Sequence, residues 1–253
     1  MFDNVKHKLA ARKAYALHLQ GNQLIDKRDI PGARAKHEQA LKLYDEAYKA
    51  GACEGNVLLA YAVLLMRFDR AEEAKKLFLE CEKTLSRDPK TRKELRMDYA
   101  VCQWKLGELD NAIENMEAAG SSGMTSMIYN TLGYFYVEKA KQTGDFTKAI
   151  EFNNKAMEYD DEDAAILDNM GQLYYAMGEN DKAYEYFAKA YTIKPTQVAS
   201  MYYIAKINLL RGNFEKAEAF ADACAEGNFS ALATITPKQV EDLKAEIKAA
   251  KSK

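Results

Sequence analysis

Three histidines, four cysteines and one dense acidic run are the residues of this chain whose chemistry could go beyond packing. His7, His18 and His37 are the residues that could act as general acids, bases or metal ligands. None of them stands with an acid and a nucleophile at a spacing that one helix face would bring together. Cys53, Cys81, Cys102 and Cys224 lack the paired CxxC spacing of a zinc or redox centre. They read as reduced thiols that serve as small hydrophobes. The run Glu158-Tyr159-Asp160-Asp161-Glu162-Asp163 lacks the alternating ligands and central glycine of a calcium loop, and reads as a solvated turn. The motifs GxSxG, HExxH, GxxxxGK[ST] and GxGxxG are absent from the sequence. No catalytic residue, metal or cofactor is expected.

What the sequence specifies more strongly is a spacing of small residues. Six triplets recur in order: Gly21/Ala33/Ala40, Ala62/Ala74/Cys81, Ala100/Ala112/Ala119, Gly133/Ala149/Ala156, Gly171/Ala183/Ala190 and Ala205/Ala217/Cys224. The second and third members are seven apart in all six, and the first and second are twelve apart in five. Two antiparallel helices cross closely only where both carry small side chains, with bulky neighbours filling the space beside the crossing. Each triplet therefore predicts a helical hairpin. The hairpins are expected at about 10–50, 54–86, 88–120, 125–161, 164–195 and 197–227, all within 1–235, with a capping helix over 236–253. In the fourth hairpin the first gap is sixteen, which adds about one helical turn and keeps the apolar phase. The first hairpin is also long, seven residues over the period. Asp88-Pro89 opens one helix, and Thr236-Pro237-Lys238-Gln239 spells a capping box.

The most regular unit is Ile166 to Pro195, with small residues at Gly171, Ala183 and Ala190, bulky ones at Leu167, Met170, Tyr174 and Phe187, and a stop at Pro195. It resembles a tetratricopeptide (TPR) repeat, a helix–turn–helix unit of 34 residues. The resemblance runs from about Ala10 to Lys253 and implies an all-α fold, a right-handed α-α superhelix or TPR-like solenoid. It also implies that the first helices of successive hairpins line a concave face. On that basis the groove candidates are Asn22, Trp104, Asn130, Tyr134, Asp168, Asn169, Gln172, Tyr175, Tyr202 and Lys206, with Tyr203 beside them. Tyrosine and tryptophan supply contact area with few rotors to freeze. A carboxamide can pair with both N–H and C=O of an extended peptide. His18 falls on the same face, whereas His37 takes the slot that Phe78 and Phe187 take elsewhere. The two-carboxylate clamp of the chaperone-binding members is incomplete. Ala60 stands where a second Asn is needed and Glu94 and Asp98 where cations are needed; in the later window Tyr134 replaces the first Asn, and Ala199 and Tyr203 stand in the third repeat.

The resulting expectation is a non-enzymatic scaffold that binds a peptide or protein segment in its groove. The alternative is a regulatory scaffold that acts through self-association, with the long first and fourth hairpins as contacts. An enzymatic reading would need an added helical bundle, and none is evident. Lys+Arg of 36 against Asp+Glu of 38 gives a net charge of −2, which argues against nucleic-acid binding. Charge is uneven, with +4 over 1–50 and −8 over 108–165. MFDNVKHKLAARK lacks the apolar core of a signal peptide, and the longest apolar run, Val57 to Met66, is too short to span a bilayer. No membrane segment and a cytoplasmic location are therefore expected.

Overall fold

A computed structural model describes residues 2–85, 88–227 and 233–252, and among them it contains thirteen α-helices and no strand. The helices fall into two compact units, Met1–Ala119 and Gly120–Lys253. The first unit is built from α1 (Phe2–Asp26), α2 (Ile30–Lys49), α3 (Asn56–Arg67), α4 (Ala71–Leu85), α5 (Pro89–Lys105) and α6 (Leu109–Gly120), which ends at the boundary. The second contains α7 (Ser126–Thr143), α8 (Thr147–Tyr159), α9 (Ala164–Ala176), α10 (Asn180–Ile193), α11 (Val198–Leu210), α12 (Phe214–Ala225) and α13 (Pro237–Lys251).

The helix starts follow from capping chemistry. Asp88 accepts from Thr91 N at 2.7 Å, with Pro89 at the first helical position. Asp163 accepts from Ala165 N at 2.7 Å, so the acidic run ends as the cap of α9. Thr236 and Gln239 close a reciprocal capping box at the start of α13. One start differs from expectation: α1 begins at Phe2, well before Ala10. The first residues carry no proline or glycine, and lysine, leucine and alanine propagate a helix readily. The irregular segment expected after Gly227 falls partly on 228–232, outside the described residues.

The crossings have a specific occupant. A Cβ built on Gly171 would lie 2.7 Å from the Phe187 ring, and one on Gly21 would lie 2.3 Å from the His37 ring. At Gly133 it would lie 2.5 Å from Asn153 Oδ1. The small residue thus receives the side chain that sits between the second and third markers, rather than meeting those alanines directly. His37, Phe78, Met116, Asn153, Phe187 and Ala221 hold this slot and all are buried. The core of each unit therefore runs along the hairpin crossings. Helix α7 has 18 residues where α9 and α11 have 13, which is the extra turn that the wider marker spacing required. Gly144, at φ 76°, then ends it in the left-handed conformation.

Candidate interaction site in the second unit

Asn22 and Trp104 lie in the first unit, and the other eight groove candidates lie in the second. Four of those eight, Gln172, Tyr175, Tyr202 and Lys206, line one cavity of about 580 Å³. Helix α9 contributes Gln172 and Tyr175, and α11 contributes Tyr202, Tyr203 and Lys206. The projecting end of α7 adds Lys141, and the first turn of α13 adds Gln239.

The aromatic floor is ordered by ring contacts. Tyr203 stacks on Phe187 with centroids 4.9 Å apart and planes 4° apart. Tyr175 lies 4.9 Å from Tyr203, and Tyr202 meets Tyr203 edge-on at 5.4 Å. The residue that fills the Gly171 crossing therefore also fixes the central tyrosine of the site. Lys206 Nζ sits 5.9 Å from the Tyr175 ring and 5.6 Å from the Tyr202 ring, within cation–π range of both.

Behind the floor the polar candidates are satisfied internally. Asp168, 4% exposed, accepts from Gln172 Nε2 at 2.7 Å and from Ser200 Oγ at 2.5 Å. Burial pushes its carboxyl pKa up, against the hydrogen bonds from Ser200, Gln172 and Gln197, which favour the anion. Burial also raises the phenol pKa values of Tyr134 and Tyr203, and the Asp168 charge adds to both. Asn169 donates through Nδ2 to the Asn130 carbonyl at 2.7 Å, and so joins α9 to α7. Asn130 Nδ2 faces the Asp163 carboxylate at 3.4 Å. Gln172 thus reaches the cavity while Asp168 and Asn169 tie neighbouring helices together. In the first unit, Asn22 Oδ1 lies 3.2 Å from His37 Nε2, and Trp104 is half-buried on α5.

Chemically the cavity offers phenol donors, two ammonium groups and two carboxamides over an aromatic surface. Phenols with raised pKa values stay protonated and donate hydrogen bonds at neutral pH. Cys53 and Cys224 are pushed up to about 11 and Cys81 and Cys102 to about 12, in each case mainly by burial. Such thiols are poor nucleophiles. Among the described residues no group of three or more His, Cys, Asp or Glu is placed to hold a metal ion, and no helix is long and apolar enough to cross a membrane.

The model of the tetratricopeptide repeat matches residues 164–197, the segment that contributes α9 and α10. The chain carries a tetratricopeptide repeat over this segment. Among curated proteins it is 26% identical over 181 residues to the BBSome complex member BBS4 of Bos taurus. The match covers 71% of this chain and 33% of that one, so the chain spans about a third of the relative's length. Among solved structures it resembles a thermophilic TPR protein of Thermus thermophilus, at 24% identity and a TM-score of 0.61. That likeness covers 78% of this chain and 98% of the other. It also resembles the C-terminal part of a TPR repeat-containing protein of Cytophaga hutchinsonii, at 18% identity and TM-score 0.54, covering 85% and 78%. Both likenesses concern the fold.

Lys141 and Gln239 were not among the expected site residues. The register of the repeat placed residues on first helices only, whereas these two come from an elongated helix and from the cap. The wide spacing between Gly133 and Ala149 and the Thr236 capping box were the signals that marked both elements.

Proposed function

We propose that this TPR protein is a protein-interaction module without a catalytic step of its own, and that the second-unit cavity receives an extended segment of a partner. TPR folds mediate protein–protein interaction. The observation that carries the finer reading is the convergence of Gln172, Tyr175, Tyr202, Tyr203 and Lys206 on one cavity. Tyrosines with locked ring contacts present contact area at little entropic cost, and Lys206 adds a charged donor over them. Because the BBS4 relative is named as a member of the BBSome complex, a place within a multi-protein assembly fits the same reading.

The test is comparative capture from the native cell by wild type and by Tyr175→Ala/Lys206→Ala, with Lys189→Ala as a control. Both target residues are half-buried, so the double variant should melt within a few degrees of wild type. Loss of the same proteins from the double variant alone supports the cavity; identical capture by all three removes it.

A second reading is self-association through α1. Val5 and Leu9, one turn apart on that helix, are 64% and 66% exposed. Light scattering across a concentration series decides it: a monomer at high concentration eliminates this reading, while a dimer lost in Val5→Ser/Leu9→Ser supports it.

A further inference from the structure

Inside the first unit, polar side chains from three helices meet with too few partners. His18 comes from α1, His37 and Tyr44 from α2, and Arg67 from the last turn of α3. The His18 and His37 rings meet edge-on at 5.4 Å, and the Tyr44 ring meets His18 edge-on at 6.3 Å. His18 is 4% exposed, and both of its ring nitrogens are buried without a hydrogen-bond partner. The Tyr44 hydroxyl and Arg67 Nε are buried and unpartnered as well.

The charge is as incomplete as the hydrogen bonding. Arg67 makes no ion pair among the described residues, and burial works against its charge. The titratable groups whose fields reach the cluster are Tyr15 and His18 on α1, His37 and Tyr44 on α2, Arg67 on α3, and Cys53 between α2 and α3. None of these is a carboxylate. Asp45 of α2 is already held by Arg70 and Tyr61. Buried donors can be satisfied by water, but water supplies no counter-charge to a half-buried guanidinium. The missing partner is one that both accepts hydrogen bonds and carries negative charge.

We propose that this cluster binds a single oxyanion, a carboxylate or phosphate group, with Arg67 as counter-charge and His18 as a hydrogen-bond donor. A guanidinium presents a donor fork suited to two oxygens, and an imidazole N–H and a phenol O–H complete the set. Arg67 and Asn22 are half-buried, while His18 and His37 are buried. Burial, His37 and Arg67 together hold the His18 pKa down at about 4. A bound anion offsets the last two contributions and raises the His18 pKa, so binding takes up protons and tightens as pH falls from 6 towards 5, where phosphate stays a monoanion. This site is separate from the second-unit cavity and independent of the function proposed for it.

The experiment titrates inorganic phosphate into the full chain while the histidine side-chain resonances are followed by NMR. His18 and His37 should shift saturably, with tighter binding at pH 5 than at pH 6, and His7 should stay put as the internal control. Arg67→Gln should weaken binding about tenfold or more, since it removes a charged hydrogen-bond partner. A parallel titration with a short acidic peptide bearing a free C-terminal carboxylate separates the sources. Tighter phosphate binding points to a free anion and tighter peptide binding to a partner's carboxylate, and each supports the site. If Arg67→Gln fails to fold, His18→Gln is read in the same way. Shifts at His18 and His37 no larger than at His7 with both ligands, or full binding by the folded variants, overturn the proposal.

Discussion

Ser200 Oγ donates to Asp168 Oδ1 at 2.5 Å, joining α11 to α9 where both residues are closed off from solvent. The bond stabilises the anionic form of a carboxyl whose pKa burial has raised. Ser200→Ala should cost about 1–3 kcal/mol in urea unfolding at pH 7, the range for stranding a buried acceptor. The direction with pH follows from the raised pKa. The folded state favours the protonated carboxyl, so stability tied to Asp168 falls as pH rises through the folded pKa. The anion is the form that needs the serine, and the cost of Ser200→Ala should shrink as pH approaches 4. A cost that is the same at both pH values would contradict this assignment.

Gly171 and Phe187 share one space. An alanine methyl at Gly171 would meet the ring at 2.7 Å, so Gly171→Ala should destabilise by about 1–3 kcal/mol through overpacking. Phe187→Ala should cost about 3–5 kcal/mol through the cavity left behind. The double variant should cost less than the sum, because each change relieves the fault of the other. Denaturant unfolding of the three proteins completes the cycle, and strict additivity would break the link.

His18 should make the chain acid-sensitive. Its folded pKa of about 4 lies below the ordinary 6.5, so the unfolded state binds more protons between those values. Stability from this residue is complete above pH 6.5 and is lost as pH falls towards 4, by about 3 kcal/mol at most. Thermal melts across that range should show a slope that His18→Gln flattens. An unchanged slope in the variant would assign the acid sensitivity to other groups.

The four thiols should be silent in the native state. Cys53, Cys81, Cys102 and Cys224 are buried, with pKa values raised to about 11–12. Iodoacetamide at neutral pH should label none of them quickly in buffer and all four in denaturant, as read by intact mass. Fast single labelling of the native chain would reveal a thiol that opens readily.

Much of the fold was legible because it depends on neighbours in the chain. Asp88 with Pro89, and Thr236 with Gln239, satisfy orphan amides within one turn, so spacing alone announced those helix starts. The sixteen-residue gap after Gly133 announced the long α7. The onset of α1 at Phe2 was not legible, because the triplet marks a crossing and not how far a helix runs beyond it. The lining of the second-unit cavity was legible in part. Register placed Gln172, Tyr175, Tyr202 and Lys206 on one face, and they do share a cavity. It could not show that Asp168 and Asn169, adjacent on the same helix, would spend their polar atoms on Ser200 and on the Asn130 carbonyl.

By itself the sequence determined the helices, their turns and the small-to-large contacts of each hairpin, because capping, phase and side-chain volume act over a few residues. Only the tertiary structure decided which polar side chains are used up inside. It seated Phe187 under Tyr203, carried Lys141 and Gln239 to the cavity from the ends of distant helices, and closed His18, Tyr44 and Arg67 together without an acid. Those outcomes turn on how closely helices approach that are far apart in the chain, as where Gln172 and Gln239 come to line one cavity. Helical periodicity sets the face on which a residue stands, and packing against the next helix sets what it touches.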